Sequence, residues 1–134
     1  MGKAMHITRA CDYACRALVY LARNGPGAAE TAKIAETIDV PPIYLRKIFQ
    51  ALSRAGLVRT AAGSGGGVAL AAPADLITLK DIIEAVEGPI VLSDCIEHPE
   101  TCDNAATCKV CTALSAIQAK LQEDFASRRL CDLV

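Results

Sequence analysis

The order of helix signals at the start of the chain is the feature that most constrains its fold. Apolar residues at helical spacing predict a helix over 8–23, a shorter one over 28–38 and a third over 42–56. The segments NGPG and DVPP separate these helices, because Gly and Pro favour turns, and Pro42 suits a first helical residue. The chain is therefore expected to begin with three short helices joined by tight turns.

Two β-prone segments, 57–60 and 68–71, follow the third helix and flank a glycine-rich tip at 63–67. This pattern predicts an antiparallel hairpin with a flexible tip. It does not predict a phosphate-binding loop, because no Lys-Ser/Thr pair follows the glycines. Helices in this order, followed by a glycine-tipped hairpin, are typical of a winged helix-turn-helix domain, whose second short helix enters the major groove.

The third helix is predicted to have two chemically different faces. The residues expected to face inward are Leu45, Ile48, Phe49 and Leu52. The residues expected on the other side are Ile43, Arg46, Lys47, Gln50, Ser53 and Arg54. Lys and Arg neutralise phosphates, and polar side chains on a helix reach base edges, so this side is a candidate DNA-binding face. A helical domain with a solvated basic face is the alternative that the pattern leaves open.

Charge is divided unevenly along the chain, although the net charge is only −1. Residues 1–59 carry nine Lys or Arg against four Asp or Glu, whereas residues 60–134 carry five against eleven. A basic half beside an acidic half favours contact between the N-terminal half and a polyanion, with a chance distribution as the alternative.

Two further helices are predicted, over 78–87 and 109–130. Thr78 and Asp81 have the spacing of a capping box at the start of the first. The second has a narrow apolar seam of the coiled-coil type, formed by Val110, Leu114, Ile117, Leu121 and Phe125. So short a chain offers this seam few local partners, and a second copy of the chain is the expected one.

Four of the seven cysteines, Cys95, Cys102, Cys108 and Cys111, lie within 94–111, a segment without a core-forming apolar run. Several thiolates in one loop favour a soft-metal site. Structural zinc usually takes two close-spaced ligand pairs, and here only the last two cysteines are close. The wider spacing favours an iron–sulfur cluster, with zinc or a thiol switch as alternatives.

The other candidate residues are interpreted without a special role. His98 and Asp103 are expected to be solvated loop residues, and Cys11 and Cys15 small buried hydrophobic ones. The chain has only two His and no Ser/His/Asp or paired-carboxylate set, so we do not expect an enzyme. It has neither a run of eighteen apolar residues nor a secretory segment, which predicts no membrane span and a cytoplasmic protein with reduced thiols.

Four characteristic segments precede the cysteine loop. In order along the chain they are HITRACDYACRALVYLA, VPPIYLRKIFQALSRAGLVRT, GSGGGVAL and ITLKDIIEAVEG. This order resembles that of the BadM/Rrf-type bacterial transcription regulators, over about residues 5–131. The family includes regulators of iron–sulfur assembly, nitric-oxide sensors and regulators of cysteine metabolism. The resemblance implies winged-helix homodimers that pair through a long C-terminal helix and bind roughly palindromic double-stranded DNA operators.

The resemblance also implies a cofactor site. Cluster-binding members carry three cysteines that match Cys95, Cys102 and Cys108. The fourth ligand is, in one branch, a His at the position of Cys111 and, in another, an Asp contributed across the dimer at the position of Asp12. Cys111 is favoured because a thiolate is the softer ligand and lies in the same loop. Both [2Fe–2S] and [4Fe–4S] clusters stay open.

The resemblance places DNA contacts on the third helix and the hairpin. The candidates are Ile43, Tyr44, Arg46, Lys47, Gln50, Arg54, Arg59, Ser64, Gly65 and Gly66. The family's wing usually has Arg and Tyr where this chain has Ala62 and Val68, so the minor-groove contact is not expected there, and Arg59 is the nearby cation. Ile43 replaces a residue that is often small and polar, which implies a different operator preference.

The expected fold class is mainly α with a small β-hairpin wing, that is, a winged helix-turn-helix plus a long C-terminal dimerisation helix. The expected segments are a DNA-binding domain at 1–75, a connecting helix at 76–93, a cluster-binding loop at 94–111 and a dimerisation helix at 112–134. The expected function is that of a DNA-binding regulator whose iron–sulfur cluster senses redox state, nitric oxide or iron or cluster supply. A zinc- or thiol-based repressor and a small electron carrier are the alternatives.

Overall fold

The computed structural model describes residues 4–63 and 67–134. The helices are α1 (Arg9–Arg23), α2 (Thr31–Ile38), α3 (Pro42–Arg54), α4 (Leu79–Glu87), α5 (Asp94–Glu97) and α6 (Lys109–Ser127). The strands are β1 (Val58–Ala61) and β2 (Gly67–Leu70), and 3₁₀ turns span Ala74–Leu76, Pro99–Thr101 and Leu130–Leu133. The predicted fold class, mainly helical with a two-stranded hairpin and a long C-terminal helix, is confirmed.

Helix α1 begins as predicted, because the Thr8 hydroxyl oxygen accepts a hydrogen bond of 3.2 Å from the Cys11 N–H. Its buried face consists of Cys11, Ala14, Ala17, Leu18 and Leu21. Ala10 and Tyr13, which the sequence places on this face, are only half-buried at its edge. The small side chains at 14 and 17 let α1 pack closely against α3 and α4.

The segment before α2 differs from the prediction. The sequence predicts a helix from residue 28, but α2 begins at Thr31, because Ala29 is paired with Val68 of β2. The Ala29 N–H donates to the Val68 carbonyl at 2.9 Å, and the Val68 N–H donates to the Ala29 carbonyl at 2.8 Å. This pairing overrides the helix propensity of the neighbouring alanines. Backbone hydrogen bonds thus attach the α1–α2 connection to the hairpin.

One glycine allows this attachment. β1 and β2 are antiparallel, with Val58 opposite Leu70 and Ala61 opposite Gly67. Gly67 has φ +144°, and a Cβ there would lie 2.4 Å from the Ala29 carbonyl oxygen. Only glycine meets both the backbone angle and the close approach.

Helix α3 begins at the Pro41–Pro42 pair and is held by its inward side. As predicted, its buried residues are Leu45, Ile48, Phe49 and Leu52. They join the single core cluster, which also contains residues of α1, α2 and α4. Apolar burial therefore fixes how α3 is oriented on the domain.

Helix α4 begins with the predicted capping box. The Asp81 N–H donates to the Thr78 hydroxyl at 3.1 Å, and the Thr78 N–H donates to the Asp81 carboxylate at 3.0 Å. The helix ends at Gly88, which has φ +87°, and its Ile82 is fully buried in the core.

The last residues return to the core, which corrects the prediction of one continuous helix to residue 130. α6 ends at Ser127, and Leu130 is fully buried in the core cluster with residues of α1, α3 and the hairpin. The Leu79 N–H donates to the Arg128 carbonyl at 2.9 Å, which ties this segment to the start of α4. Only part of the segment 112–134 thus belongs to α6.

Helix α6 carries the predicted seam in a partly uncovered state. Val110 and Ile117 are 67% and 55% exposed, and Leu114, Leu121 and Phe125 are half-buried. The helix packs against α4 and α5. Across residues 4–63 and 67–134, no helix combines the length and the apolar character that crossing a bilayer requires.

Candidate DNA-binding face and cysteine site

The outward face of α3 is exposed along its whole length. Its exposed candidates are Ile43, Tyr44, Arg46, Lys47, Gln50 and Arg54. Arg46, Lys47 and Arg54 form no ion pair with any residue of the ranges 4–63 and 67–134. Because the opposite face is buried, these side chains project from a rigidly held helix, which suits them to neutralise phosphates and reach base edges.

The hairpin follows α3 and packs against it through β1. Arg59 is exposed on β1, opposite Ala69. Val68, which replaces the Tyr of the related regulators, is only 2% exposed and belongs to the core, so it does not face DNA. The predicted tip residues, Ser64, Gly65 and Gly66, lie outside the described residues.

Three of the four loop cysteines border one cavity of about 450 Å³. Cys95 lies in α5, Cys102 follows the Pro99–Thr101 turn, and Cys111 lies in the first turn of α6. Cys111 is therefore a helix residue, although the sequence places it in the loop. Cys95 is half-buried, Cys111 is buried and Cys102 is exposed, so the cavity opens to solvent on one side.

Cys95 and Cys111 border the same cavity, and their thiols interact with each other. This interaction is the main cause of a lowered pKa at Cys95, and the Ser93 hydroxyl, 3.2 Å from the Cys95 sulfur, acts in the same direction. The same interaction is the main cause of a raised pKa at Cys111. Cys95 is thus the thiol of the pair that ionises more readily.

The other two candidate ligands are placed differently. Cys108 is half-buried just before α6 and does not border the cavity. Asp12 on α1 forms an ion pair of 2.9 Å with Arg16 and does not border the cavity either. One protomer therefore brings together three of the five candidate ligands.

Three thiols that border one cavity provide the soft sulfur donors that an iron–sulfur cluster takes. In the described part of the chain, no three His, Cys, Asp or Glu side chains are arranged to hold one metal ion.

The polar residues of the loop are placed as predicted. His98 is exposed, and its ring nitrogens lie 3.3 Å from Glu100 and 3.8 Å from Glu97. Asp103 is exposed at the mouth of the cavity.

Two glutamines of α6, which the sequence reasoning missed, hold the segment that leads into the loop. The Leu92 N–H donates to the Gln118 amide oxygen at 2.8 Å, and the Gln122 amide donates to the Ile90 carbonyl at 3.1 Å. The two glutamines are four residues apart, so the sequence could have indicated that both lie on one face of α6. These bonds attach the cysteine site to the α4–α5 connection.

A second thiol pair lies on α1. Cys11 is fully buried and Cys15 half-buried, and the interaction of their side chains is the main cause of a raised pKa at Cys11 and a lowered pKa at Cys15. Next to it, the Thr8 hydroxyl donates to the Glu87 carboxylate at the end of α4. The buried-hydrophobe interpretation holds for Cys11 and only in part for Cys15.

Comparisons with known proteins agree with this arrangement. A model of the Rrf2 family, described as an iron-dependent transcriptional regulator, matches residues 7–134. Protein aau3 of Rhizobium meliloti (strain 1021) is 39% identical over 111 residues, which cover 82% of this chain and 72% of aau3. CymR, the global cysteine regulator of B. subtilis, matches with a TM-score of 0.75 and 29% identity over 97% of this chain and 96% of its own. T. potens IscR has a TM-score of 0.73 and 23% identity, over 97% of this chain and 86% of its own, and shows a shared fold.

Proposed function

Because the chain belongs to the Rrf2 family of transcription regulators, we propose that it binds operator DNA as a homodimer and senses its signal through an iron–sulfur cluster. Family membership confirms the predicted resemblance and the prediction that the chain is a regulator and not an enzyme. It also argues against the electron-carrier alternative. The observation that carries the sensing part is the convergence of Cys95, Cys102 and Cys111 on one cavity.

The exposed face of α3 is the proposed recognition surface. Arg46, Lys47 and Gln50 project from the middle of a helix whose other side is buried, and Arg and Gln can make two hydrogen bonds to guanine and adenine, respectively. Arg54 and Arg59 lie at its end and on the wing, where backbone phosphates are the natural partners. The tip residues Ser64, Gly65 and Gly66 are proposed to contact the DNA as well.

The seam of α6 is the proposed dimer interface. Val110 and Ile117 are large apolar residues that one protomer leaves exposed, and a second α6 would cover them. Two copies related by a two-fold axis present two recognition helices, which implies a roughly palindromic operator. Sedimentation of the purified chain should give the mass of two copies, and a monomer at micromolar concentration would overturn this part.

Cys95, Cys102 and Cys111, with Cys108 or with Asp12 of a second protomer, are the proposed cofactor ligands. When bound, an iron–sulfur cluster supplies reversible one-electron chemistry. The lowered pKa of Cys95 favours the thiolate form that a metal ligand must take. The apolar side chains of Ile96 and Pro99 at the cavity limit the access of water to these thiols.

The chain provides two physical links between the cysteine site and α3. Gln118 and Gln122 hold the segment that joins α4 to the loop, and α4 packs against α3. At its far end α6 leads to the buried Leu130. A rearrangement of the cysteines would therefore act on the elements that position the recognition helix, and a small change in half-site spacing weakens binding to a two-site operator.

The test is an anaerobic purification with a visible spectrum and counts of iron, sulfide and zinc per chain. We expect broad visible absorption with matching iron and sulfide. Cys102→Ala should lose both and remain a folded dimer, whereas Cys131→Ala, an exposed cysteine outside the loop, should keep them. A wild-type protein that stays colourless after reconstitution with iron and sulfide would contradict the cluster.

The two interacting thiols of Cys95 and Cys111, which border one cavity, favour a second candidate, a thiol-based regulator without metal. A readily ionised thiol beside a second thiol is the arrangement in which a disulfide forms on oxidation. In that case a colourless protein would form a Cys95–Cys111 disulfide under mild peroxide, detectable by peptide mass. A colourless protein that contains zinc would instead indicate a zinc-stabilised repressor.

A further inference from the structure

A basic, aromatic cavity lies between the start of α1 and the start of α3, beside the proposed recognition face. Its volume is about 450 Å³. The residues that line it are Arg9, Ala10, Tyr13, Pro41, Tyr44, Lys47 and Ile48. Arg9 and Tyr13 belong to α1, and nothing in the proposed recognition surface accounts for them.

The positive charge of this cavity is not compensated by the protein. Arg9 and Lys47 are exposed and form no ion pair within residues 4–63 and 67–134. The one acidic side chain of α1, Asp12, is paired with Arg16 instead, at 2.9 Å. Two unpaired cations attract an anion, and phosphate is the anion that Arg and Lys hold best.

The N terminus of α3 lies at the wall of the same cavity. Pro41 precedes that helix without a side-chain cap, so its first turn contributes a partial positive charge at the wall of the cavity. The hydroxyl groups of Tyr13 and Tyr44 add hydrogen-bond donors of the kind that contact phosphate oxygens. The cavity therefore combines two cations, a helix terminus and two hydroxyls around one space.

The position of the cavity indicates which phosphate it would hold. Tyr44 and Lys47 lie three residues apart, at the edge of the exposed face that borders the cavity, whereas Arg46 and Gln50 of the same face do not border it. When a helix enters the major groove, its flanks meet the sugar–phosphate backbone at the groove edge. We propose that Arg9 and Tyr13, with Lys47 and Tyr44, bind a DNA backbone phosphate and so fix the orientation of α3 in the major groove. This inference rests on the proposed DNA binding.

The test measures how salt weakens binding of the full-length protein to a duplex of arbitrary sequence, because a phosphate contact does not depend on the bases. Arg9→Gln removes the cavity's cation from α1. Arg23→Gln is the matched control, an exposed arginine at the opposite end of the same helix. Tyr13→Phe removes only a hydroxyl. Circular dichroism checks that all variants are folded.

We expect Arg9→Gln to weaken binding to every sequence. The slope of log affinity against log salt, which is negative, should become smaller in magnitude by about one. Arg23→Gln should change neither quantity. Tyr13→Phe should weaken binding at all salt concentrations without changing the slope. A slope for Arg9→Gln equal to that of the wild type would overturn the phosphate contact and leave the proposed function standing. A wild-type protein that binds no duplex at all would overturn both.

Discussion

The N–H of Leu130 donates a hydrogen bond of 2.8 Å to the carbonyl oxygen of Ile77, and both residues are fully buried. This contact joins the chain after α6 to the segment before α4. The cysteine site lies between these two helices along the chain, so the elements on both sides of it are attached to the core of the winged-helix domain.

Leu130→Ala should destabilise the protein by about 2–5 kcal/mol, because it leaves a cavity in the core and removes buried apolar surface. The free energy of unfolding in urea measures this. Leu133→Ala is the matched control in the same 3₁₀ turn, where the side chain is 38% exposed, and it should cost less than about 1 kcal/mol. Equal losses for the two variants would mean that the return of the chain end to the core contributes little.

Gly67→Ala should destabilise the wing more than Gly63→Ala does. Both glycines have positive φ, so each substitution strains the backbone by roughly 1–3 kcal/mol. At Gly63 no atom lies within 4 Å of the added carbon, whereas at Gly67 the carbon meets the Ala29 carbonyl oxygen at 2.4 Å. Urea unfolding compares the two, and hydrogen exchange of the Ala29 and Val68 amides should become faster only in Gly67→Ala. Unchanged exchange there would contradict the attachment of the α1–α2 connection to the wing.

Arg46→Ala should weaken binding to an operator selected from randomised duplexes by about 1–3 kcal/mol and relax selection at one base position. Its effect on unrelated duplexes should be smaller, because the wild-type protein makes no specific base contact there that Arg46→Ala could remove. Fluorescence anisotropy at fixed salt measures both affinities. Lys33→Ala, on the exposed side of α2, is the charge-matched control and should change neither affinity. An equal loss on both kinds of DNA would assign Arg46 to a phosphate.

Cys15 should react with iodoacetamide at a lower pH than an ordinary thiol, because the neighbouring Cys11 thiol lowers its pKa below the usual value of about 9. Cys11→Ala removes this thiol, so the midpoint of the pH–rate profile should move upward. Peptide mass spectrometry follows the reaction site by site. The exposed Cys131 serves as an internal control whose profile should be the same in both proteins. Identical Cys15 profiles in the two proteins would show that Cys11 does not govern its reactivity.

Local patterns were sufficient to predict α1, α3 and α4. The apolar spacing of α3 gave its buried side, and the Thr78–Asp81 pair gave the start of α4, because both signals act within a few residues. The start of α2 and the end of α6 were wrong for one shared reason. Ala29 pairs with Val68, and Arg129 pairs with Thr78, so strand-like contacts between distant residues decide both boundaries.

For the cysteine site, too, local patterns predicted one part and contacts between distant residues decided the rest. Close spacing in sequence predicted that the loop cysteines lie together, and three of them do. The sequence did not indicate that Cys95 and Cys111 interact or that Cys108, which precedes α6, does not border the cavity. The one-turn spacing of Gln118 and Gln122 was visible in the sequence, but their partners lie more than twenty positions away, and no local pattern reveals those contacts.

The buried side of α3 holds the helix in the domain, and its exposed side is the proposed DNA-binding surface. This separation has an evolutionary consequence. Leu45, Ile48, Phe49 and Leu52 hold the helix, while the outward residues make no ion pairs with the rest of the described protein. Substitutions on the outward side can therefore change the preferred DNA sequence at little cost in stability. A duplicated copy of such a gene can acquire new target promoters through a few changes in one helix, while the fold and the cysteine loop stay as they are.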